Sequence, residues 1–101
     1  MAKHLVAKVS DIAAETTLRV VVNGNELLLC NAGGNLYAIE DVCTHDGGPL
    51  DQGQLEGETV TCPRHGATFD VRTGDALTLP AVVPLLTYPV SIEGDDVFVD
   101  V

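Results

Sequence analysis

The chain has 101 residues and carries fifteen acidic residues against five basic ones, a formal net charge of −10 at pH 7. This length is that of one ordinary domain, so we expect a single domain over residues 1–101. The acidic balance disfavours nucleic acid as a partner, because a polyanion would be repelled. No apolar run is long enough to span a membrane, and residues 1–9 lack the apolar core of a signal peptide. We therefore expect a cytoplasmic protein.

The first half of the chain reads as an antiparallel meander. Its predicted strands are His4–Val9, Thr17–Val22, Glu26–Asn31 and Asn35–Glu40. A turn or short helical loop is predicted over Ser10–Glu15. The Asn-Gly step at Asn23-Gly24-Asn25, between two apolar runs, is the strongest short signal for a hairpin. A second tight turn is predicted over residues 32–35.

The second half also predicts strands and no helix. These strands are Thr59–Cys62, Thr68–Val71, Tyr88–Glu93 and Val97–Val101. The last two form a predicted hairpin across residues 94–96. Leu79–Leu85 is apolar, but its two prolines keep it out of a sheet interior. No segment has a sustained 3.6-residue apolar period, so the predicted fold class is all-β.

Two short motifs carry the candidate chemistry: Cys43-Thr44-His45 and Cys62-Pro63-Arg64-His65, with sixteen residues between them. Two thiolates and two imidazoles form a four-ligand metal set. A structural zinc site is one reading, since tetrahedral Zn²⁺ accepts two Cys and two His. Zinc modules usually pair like with like, however, whereas each motif here holds one Cys and one His. That arrangement favours a [2Fe–2S] centre in which two His replace two Cys on one iron.

The longer motifs extend this pattern. They run from Cys43 to Leu50 as C-x-H-x-G-x-x-L and from Cys62 to Phe69 as C-P-x-H-G-x-x-F. Both motifs, at this separation, resemble those of the Rieske ferredoxins. The resemblance is greatest to the ferredoxin components of bacterial aromatic-ring-hydroxylating dioxygenase systems, such as the biphenyl dioxygenase type, and it covers nearly the whole chain.

The resemblance implies a fold, a cofactor and a site. The fold would be an antiparallel base β-sandwich with an inserted cluster-binding subdomain at about residues 41–72. One Rieske [2Fe–2S] cluster would be bound per chain, with Cys43 and Cys62 on the inner iron and His45 and His65 on the outer one. Leu79–Leu85 resembles the family's proline loop, which covers one side of the cluster; a plain surface connection is the alternative.

The function implied is electron transfer and not catalysis. The chain would act as a monomer, taking single electrons from a flavoprotein ferredoxin reductase and delivering them to a terminal oxygenase. Only His4 remains beyond the motif histidines, so a second, mononuclear iron site of the 2-His-1-carboxylate type is excluded. The open alternatives are a component of another oxidoreductase complex, similar to the small subunit of nitrite reductase, and a structural zinc module.

Four further residues are interpreted from their positions. Ala67 and Phe69 stand where high-potential relatives carry Ser and Tyr, whose hydroxyls donate to the cluster sulfurs. The absence of these hydroxyls predicts a low reduction potential within the Rieske range of roughly −150 to +300 mV. Cys30, on an apolar strand, is predicted to be a small core residue, and His4 a surface residue.

The interval between Arg19 and Arg64 contains no basic residue but several acidic ones, including Asp46, Asp51 and Glu56. The acidic residues of this interval either keep the protein soluble or steer it towards electropositive partners.

Overall fold

The computed structural model describes residues 2–44, 47–64 and 66–101, and within them the chain forms ten β-strands and one short 3₁₀ turn over Val9–Asp11. The strands are β1 Lys3–Lys8, β2 Thr17–Val22, β3 Asn25–Ala32, β4 Asn35–Glu40, β5 Leu55–Glu56, β6 Thr59–Thr61, β7 Thr68–Asp70, β8 Thr87–Tyr88, β9 Val90–Glu93 and β10 Asp96–Asp100. They pair antiparallel in three sheets, so the all-β prediction is confirmed.

The predicted meander forms the largest sheet, in the order β2-β3-β4-β8. Val22 pairs with Asn25, so the chain reverses over Asn23 and Gly24 alone. Both turn residues have positive φ, 53° and 81°, as the tightest hairpin turns require. β3 is the central strand, and the four residues from Leu27 to Cys30 are all fully buried. Alternate side chains of β3 therefore belong to two different cores, one on each face of the sheet.

The two ends of the chain meet in a second sheet, ordered β1-β10-β9. Ala2 and Val101 exchange main-chain hydrogen bonds of 3.1 and 3.0 Å. This sheet packs on one face of the meander around a core that includes Leu27, Leu29 and Val99. The two sheets thus form a sandwich.

The prediction of a single strand over Tyr88–Glu93 is wrong, because the structure divides this segment at Pro89. β8, before the proline, pairs with β4; β9, after it, pairs with β10 in the other sheet. Proline has no N–H to donate to a ladder, and the Pro89 carbonyl accepts a hydrogen bond of 3.0 Å from the Asp100 N–H. Pro89 is therefore the point at which the chain passes from one sheet to the other.

A third, small sheet of β5, β6 and β7 lies between Leu55 and Asp70. It closes the second core of the molecule against the other face of the meander. β5 was not predicted, because a two-residue strand leaves no periodic pattern. No helix in the described residues is long and apolar enough to cross a membrane.

Candidate metal centre

The first cysteine motif forms a tight loop closed by its own main chain. The Cys43 N–H donates to the Gly48 carbonyl at 2.6 Å, and the Gly47 N–H donates back to the Cys43 carbonyl at 2.7 Å. Gly47 has φ of 76°, in the left-handed region that favours glycine. The loop thus returns on itself five residues after the cysteine.

The second motif repeats this arrangement bond for bond. The Cys62 N–H donates to the Ala67 carbonyl at 2.7 Å, and the Gly66 N–H donates to the Cys62 carbonyl at 3.1 Å. Gly66 has the same φ, 76°. The glycines in the two motifs therefore serve one purpose, which is to present each cysteine at the start of an equivalent loop.

Both cysteines point into the same interior. Cys43 is 0% exposed and Cys62 is 1% exposed, and they share a buried cluster with Leu50, Ala67 and Phe69. Thiolates are the usual protein ligands of iron–sulfur clusters. Two equivalent loops bring the two cysteines into one apolar interior. This arrangement fits a metal cluster that both cysteines would hold.

Three residues of the motifs, His45, Asp46 and His65, lie outside the described residues. The sequence prediction that His45 and His65 complete the ligand set with Cys43 and Cys62 therefore stays a prediction.

A buried carboxylate at the base of the first loop was not singled out by sequence reasoning, which counted it with the surface acids. The Asp41 side chain is 0% exposed, and its Oδ1 accepts a hydrogen bond of 2.8 Å from the Leu50 N–H. Its Oδ2 lies 3.2 Å from the Arg19 Nε. Burial raises the pKa of the Asp41 carboxyl, against the Leu50 N–H, which lowers it. The one sequence signal for this ion pair was Arg19, which precedes a long run of residues without Lys or Arg.

The proline segment packs against this interior. Ala81 and Leu85 are buried in the same cluster as the two cysteines. The Thr44 hydroxyl, inside the first motif, donates to the Val83 carbonyl at 2.6 Å. The Leu85 N–H donates to the Gly74 carbonyl at 2.7 Å. These contacts favour the covering role over a plain surface connection.

Gly74 allows this close approach. It has φ of 83°, and an added Cβ would lie 2.3 Å from the Leu85 carbonyl oxygen. Any side chain at this position would push the proline segment away from the site.

The predictions for Cys30 and His4, neither of which was assigned to the metal site, fare differently in the structure. Cys30 is fully buried, as predicted for a small core residue, and burial raises the pKa of its thiol to about 12. His4 is only half-buried, but its Nε2 is enclosed and has no hydrogen-bond partner among the described residues. The prediction of a surface histidine is therefore wrong in part: β1 pairs His4 with the buried Val99, and this register encloses the ring nitrogen.

Comparison with known proteins gives one family match. A family model described as "Rieske [2Fe-2S] domain" matches residues 2–89. The chain is 44% identical over 100 residues to the ferredoxin component of biphenyl 2,3-dioxygenase from Rhodococcus jostii (strain RHA1), covering 99% of this chain and 94% of that protein.

Solved structures agree in fold. The ferredoxin of carbazole 1,9a-dioxygenase from Nocardioides aromaticivorans IC177 superposes with a TM-score of 0.92 at 32% identity, covering 98% of this chain and 97% of that one. A chain in a complex of reduced oxygenase and oxidized ferredoxin of carbazole 1,9a-dioxygenase gives a TM-score of 0.91 at 36% identity, covering 96% and 91%. The predicted resemblance is confirmed.

Proposed function

Because the chain belongs to the Rieske [2Fe-2S] domain family, we propose that it is the ferredoxin of an aromatic-ring dioxygenase system, carrying single electrons to a terminal oxygenase. It is an electron carrier and not an enzyme in its own right. The observation that carries this proposal is the pair of equivalent loops that bring Cys43 and Cys62 into one buried interior. The relatives support it, since the match spans nearly their whole length.

The chain holds one Rieske [2Fe–2S] cluster, which supplies one-electron redox chemistry. Cys43 and Cys62 would hold one iron, and His45 and His65 would hold the other. Burial of both cysteines keeps water from the sulfur end of the site. The loop hydrogen bonds fix the backbone at Cys43 and Cys62, as contacts outside the ligand set commonly do around a metal site. Residues 41–72 form the cluster-binding unit, and the sandwich holds it in place.

The partners follow from this role. A flavoprotein ferredoxin reductase supplies the electron, and the terminal oxygenase receives it. The relative solved with its oxygenase supports the second partner. The chain works as a cytoplasmic monomer. The surface beside Thr44 and Arg64, each next to a proposed histidine ligand, is where we place electron exchange.

Spectroscopy of ligand variants tests the proposal. The purified wild-type chain should contain two irons per chain and give a rhombic EPR signal on reduction. Replacing His45 or His65 with Ala should abolish that signal or change it, because one iron loses a ligand. His4→Ala is the matched control and should leave the signal intact.

Two results would contradict the proposal. An unchanged Rieske spectrum in His65→Ala would show that this residue is not a ligand. A colourless wild-type chain with one zinc ion would establish the structural zinc module instead.

A further inference from the structure

The two cysteine loops are equivalent in their internal bonds, but they are closed differently at the base. In the second loop, Val60 stands two residues before the cysteine and Phe69 seven residues after it. They are direct partners in the β6–β7 ladder, and both are fully buried. A strand pair thus fixes both ends of this loop.

In the first loop the same two positions are Asp41 and Leu50. Both are buried, but neither belongs to a strand. The Leu50 N–H donates instead to the Asp41 Oδ1, at 2.8 Å. A side-chain oxygen therefore joins the two positions that a strand ladder joins in the second loop.

Asp41 is itself attached to the meander. Its N–H donates to the Glu26 carbonyl at 3.0 Å. Its Oδ2 faces the Arg19 Nε, and the Arg19 guanidinium also pairs with the Glu26 carboxylate at 2.6 Å. A main-chain hydrogen bond and the Arg19 ion pair thus hold the carboxylate at the point where β4 has ended and the loop begins.

We propose that Asp41 is a positioning residue that closes the first cysteine loop, its side chain replacing the strand pair that closes the second. The proposal rests on the proposed function, since the loop matters only if it holds a ligand. Leu50 shares the buried cluster with both cysteines. Without the hydrogen bond to the Leu50 N–H, the far end of the loop would no longer be held. The position of Cys43 relative to Cys62 would then vary. The bond therefore stabilises the cluster against loss.

Two substitutions of similar shape separate the acceptor from the charge. Asp41→Asn removes the charge but keeps a carbonyl oxygen for the Leu50 N–H. Asp41→Leu removes the charge and the acceptor together. We expect the Leu variant to release iron to a chelator about tenfold faster than the Asn variant, the loss expected for one buried hydrogen bond. The Leu50 amide should exchange its hydrogen faster in the Leu variant alone, while the Leu28 amide in β3 stays protected in both.

Asp11 offers the matched control pair. Its Oδ2 accepts a hydrogen bond of 2.9 Å from the Lys8 N–H, far along the chain from either loop. Asp11→Asn and Asp11→Leu should release iron at the wild-type rate. A cluster that changes as much in the Asp11 pair would overturn the local role of Asp41.

Other outcomes also decide the proposal. Equal iron release from Asp41→Asn and Asp41→Leu would overturn it, because the acceptor would then have no effect. Should the Leu variant fail to fold, Asp41→Ala takes its place; a second failure beside a folded Asn variant would make Asp41 a requirement of the whole fold and would also overturn the proposal. A wild-type chain without a [2Fe–2S] spectrum would instead contradict the proposed function.

Discussion

Ala67 and Phe69 lie in the buried cluster with Cys62, and neither side chain can donate a hydrogen bond. Donors to cluster sulfur stabilise the added electron and raise the potential. The double variant Ala67→Ser/Phe69→Tyr should therefore have a higher reduction potential. Two charge-assisted hydrogen bonds of about 1.5–3 kcal/mol each correspond to a rise of roughly 130–260 mV for one electron.

Electrochemical titration measures this shift, with far-UV circular dichroism as the check on the fold. A potential that stays level or falls in a folded, fully loaded double variant would contradict the donor argument. Ala67→Val/Phe69→Leu serves as the matched control, because it changes the packing of the same positions without adding a donor.

Cys30 is a thiol that the chemistry of the site does not use. Its pKa of about 12, raised by burial, leaves almost no thiolate at neutral pH. Iodoacetamide at pH 8 should therefore leave Cys30 unmodified in the folded chain and modify it fully in denaturant. Mass spectrometry of the digested chain distinguishes the three cysteines. Modification of Cys30 at the same rate before and after denaturation would contradict its burial.

Single residues differ in how far the sequence reveals them. The spacing of the two motifs predicts that both cysteines act together, and the structure brings them into one buried cluster. Asp41 looks like any of the other acids, since its burial depends on a loop that brings Leu50 back to it. His4 likewise lies in a segment whose composition is typical of a surface strand. Only the pairing of the two chain ends reveals that its ring nitrogen is enclosed.

The turn after β7 is the element whose stability should depend most clearly on pH. The Asp70 carboxylate accepts hydrogen bonds of 2.8 Å from the Arg72 N–H and 2.9 Å from its guanidinium. The Arg72 side-chain bond lowers the pKa of Asp70. A lowered folded-state pKa stabilises the fold above the unfolded value of about 3.9, and this contribution is lost as pH falls through the folded value.

Asp70→Asn should therefore unfold more readily than the wild type at pH 7, and the difference should shrink below about pH 4. Thermal melts of the two chains from pH 3 to pH 7, followed by circular dichroism, measure it. Asp75→Asn, in the same turn region, is the control. A difference between wild type and Asp70→Asn that grows as pH falls would have the wrong sign for this linkage.

Strands are predictable here where a tight glycine turn adjoins them. β2 and β4 begin and end at the predicted residues, and β3 extends one residue beyond the prediction at each end. The glycine turns at residues 23–24 and 33–34 separate these three strands. β5 and the break at Pro89 were not predicted. A two-residue strand such as β5 leaves no periodic pattern. The break at Pro89 depends on the pairing of β8 with the distant β4, and such long-range pairing has no local signal.

Within the described residues most basic side chains form ion pairs, and the chain carries three times as many acidic residues as Lys and Arg. Lys3, Lys8, Arg19 and Arg72 each lie beside at least one carboxylate. The net charge of −10 therefore comes from acids such as the exposed Glu56. A field of one sign attracts electropositive partners over roughly the Debye length, about 10 Å at 0.1 M salt.

An apolar surface is the alternative means of docking. Leu79, Val82 and Val83 are exposed on the proline segment, Leu79 by 77% and Val82 by 73%. Leu50, at the end of the first motif, is fully buried and contributes nothing to this surface. The two kinds of surface differ in their response to salt, because only charge is screened.

Electron transfer from the reductase should consequently slow as ionic strength rises. Neutralising Asp46, Asp51 and Glu56 together, as Asn, Asn and Gln, should lower the association rate at low salt by about tenfold, within the range of electrostatic steering. It should also flatten the salt dependence while the cluster spectrum stays unchanged. Stopped-flow reduction at several salt concentrations measures both effects.

The matched control removes the same number of negative charges from a different part of the molecule. Neutralising Glu93, Asp95 and Asp96 alters the last hairpin, in the sheet that carries neither cysteine loop. This variant should keep most of the wild-type rate, because steering depends on charge near the electron-exchange surface and only weakly on the total. Equal slowing in both triple variants would make net charge alone responsible. A wild-type rate that stays constant from low to high salt would assign docking to the apolar side chains of the proline segment.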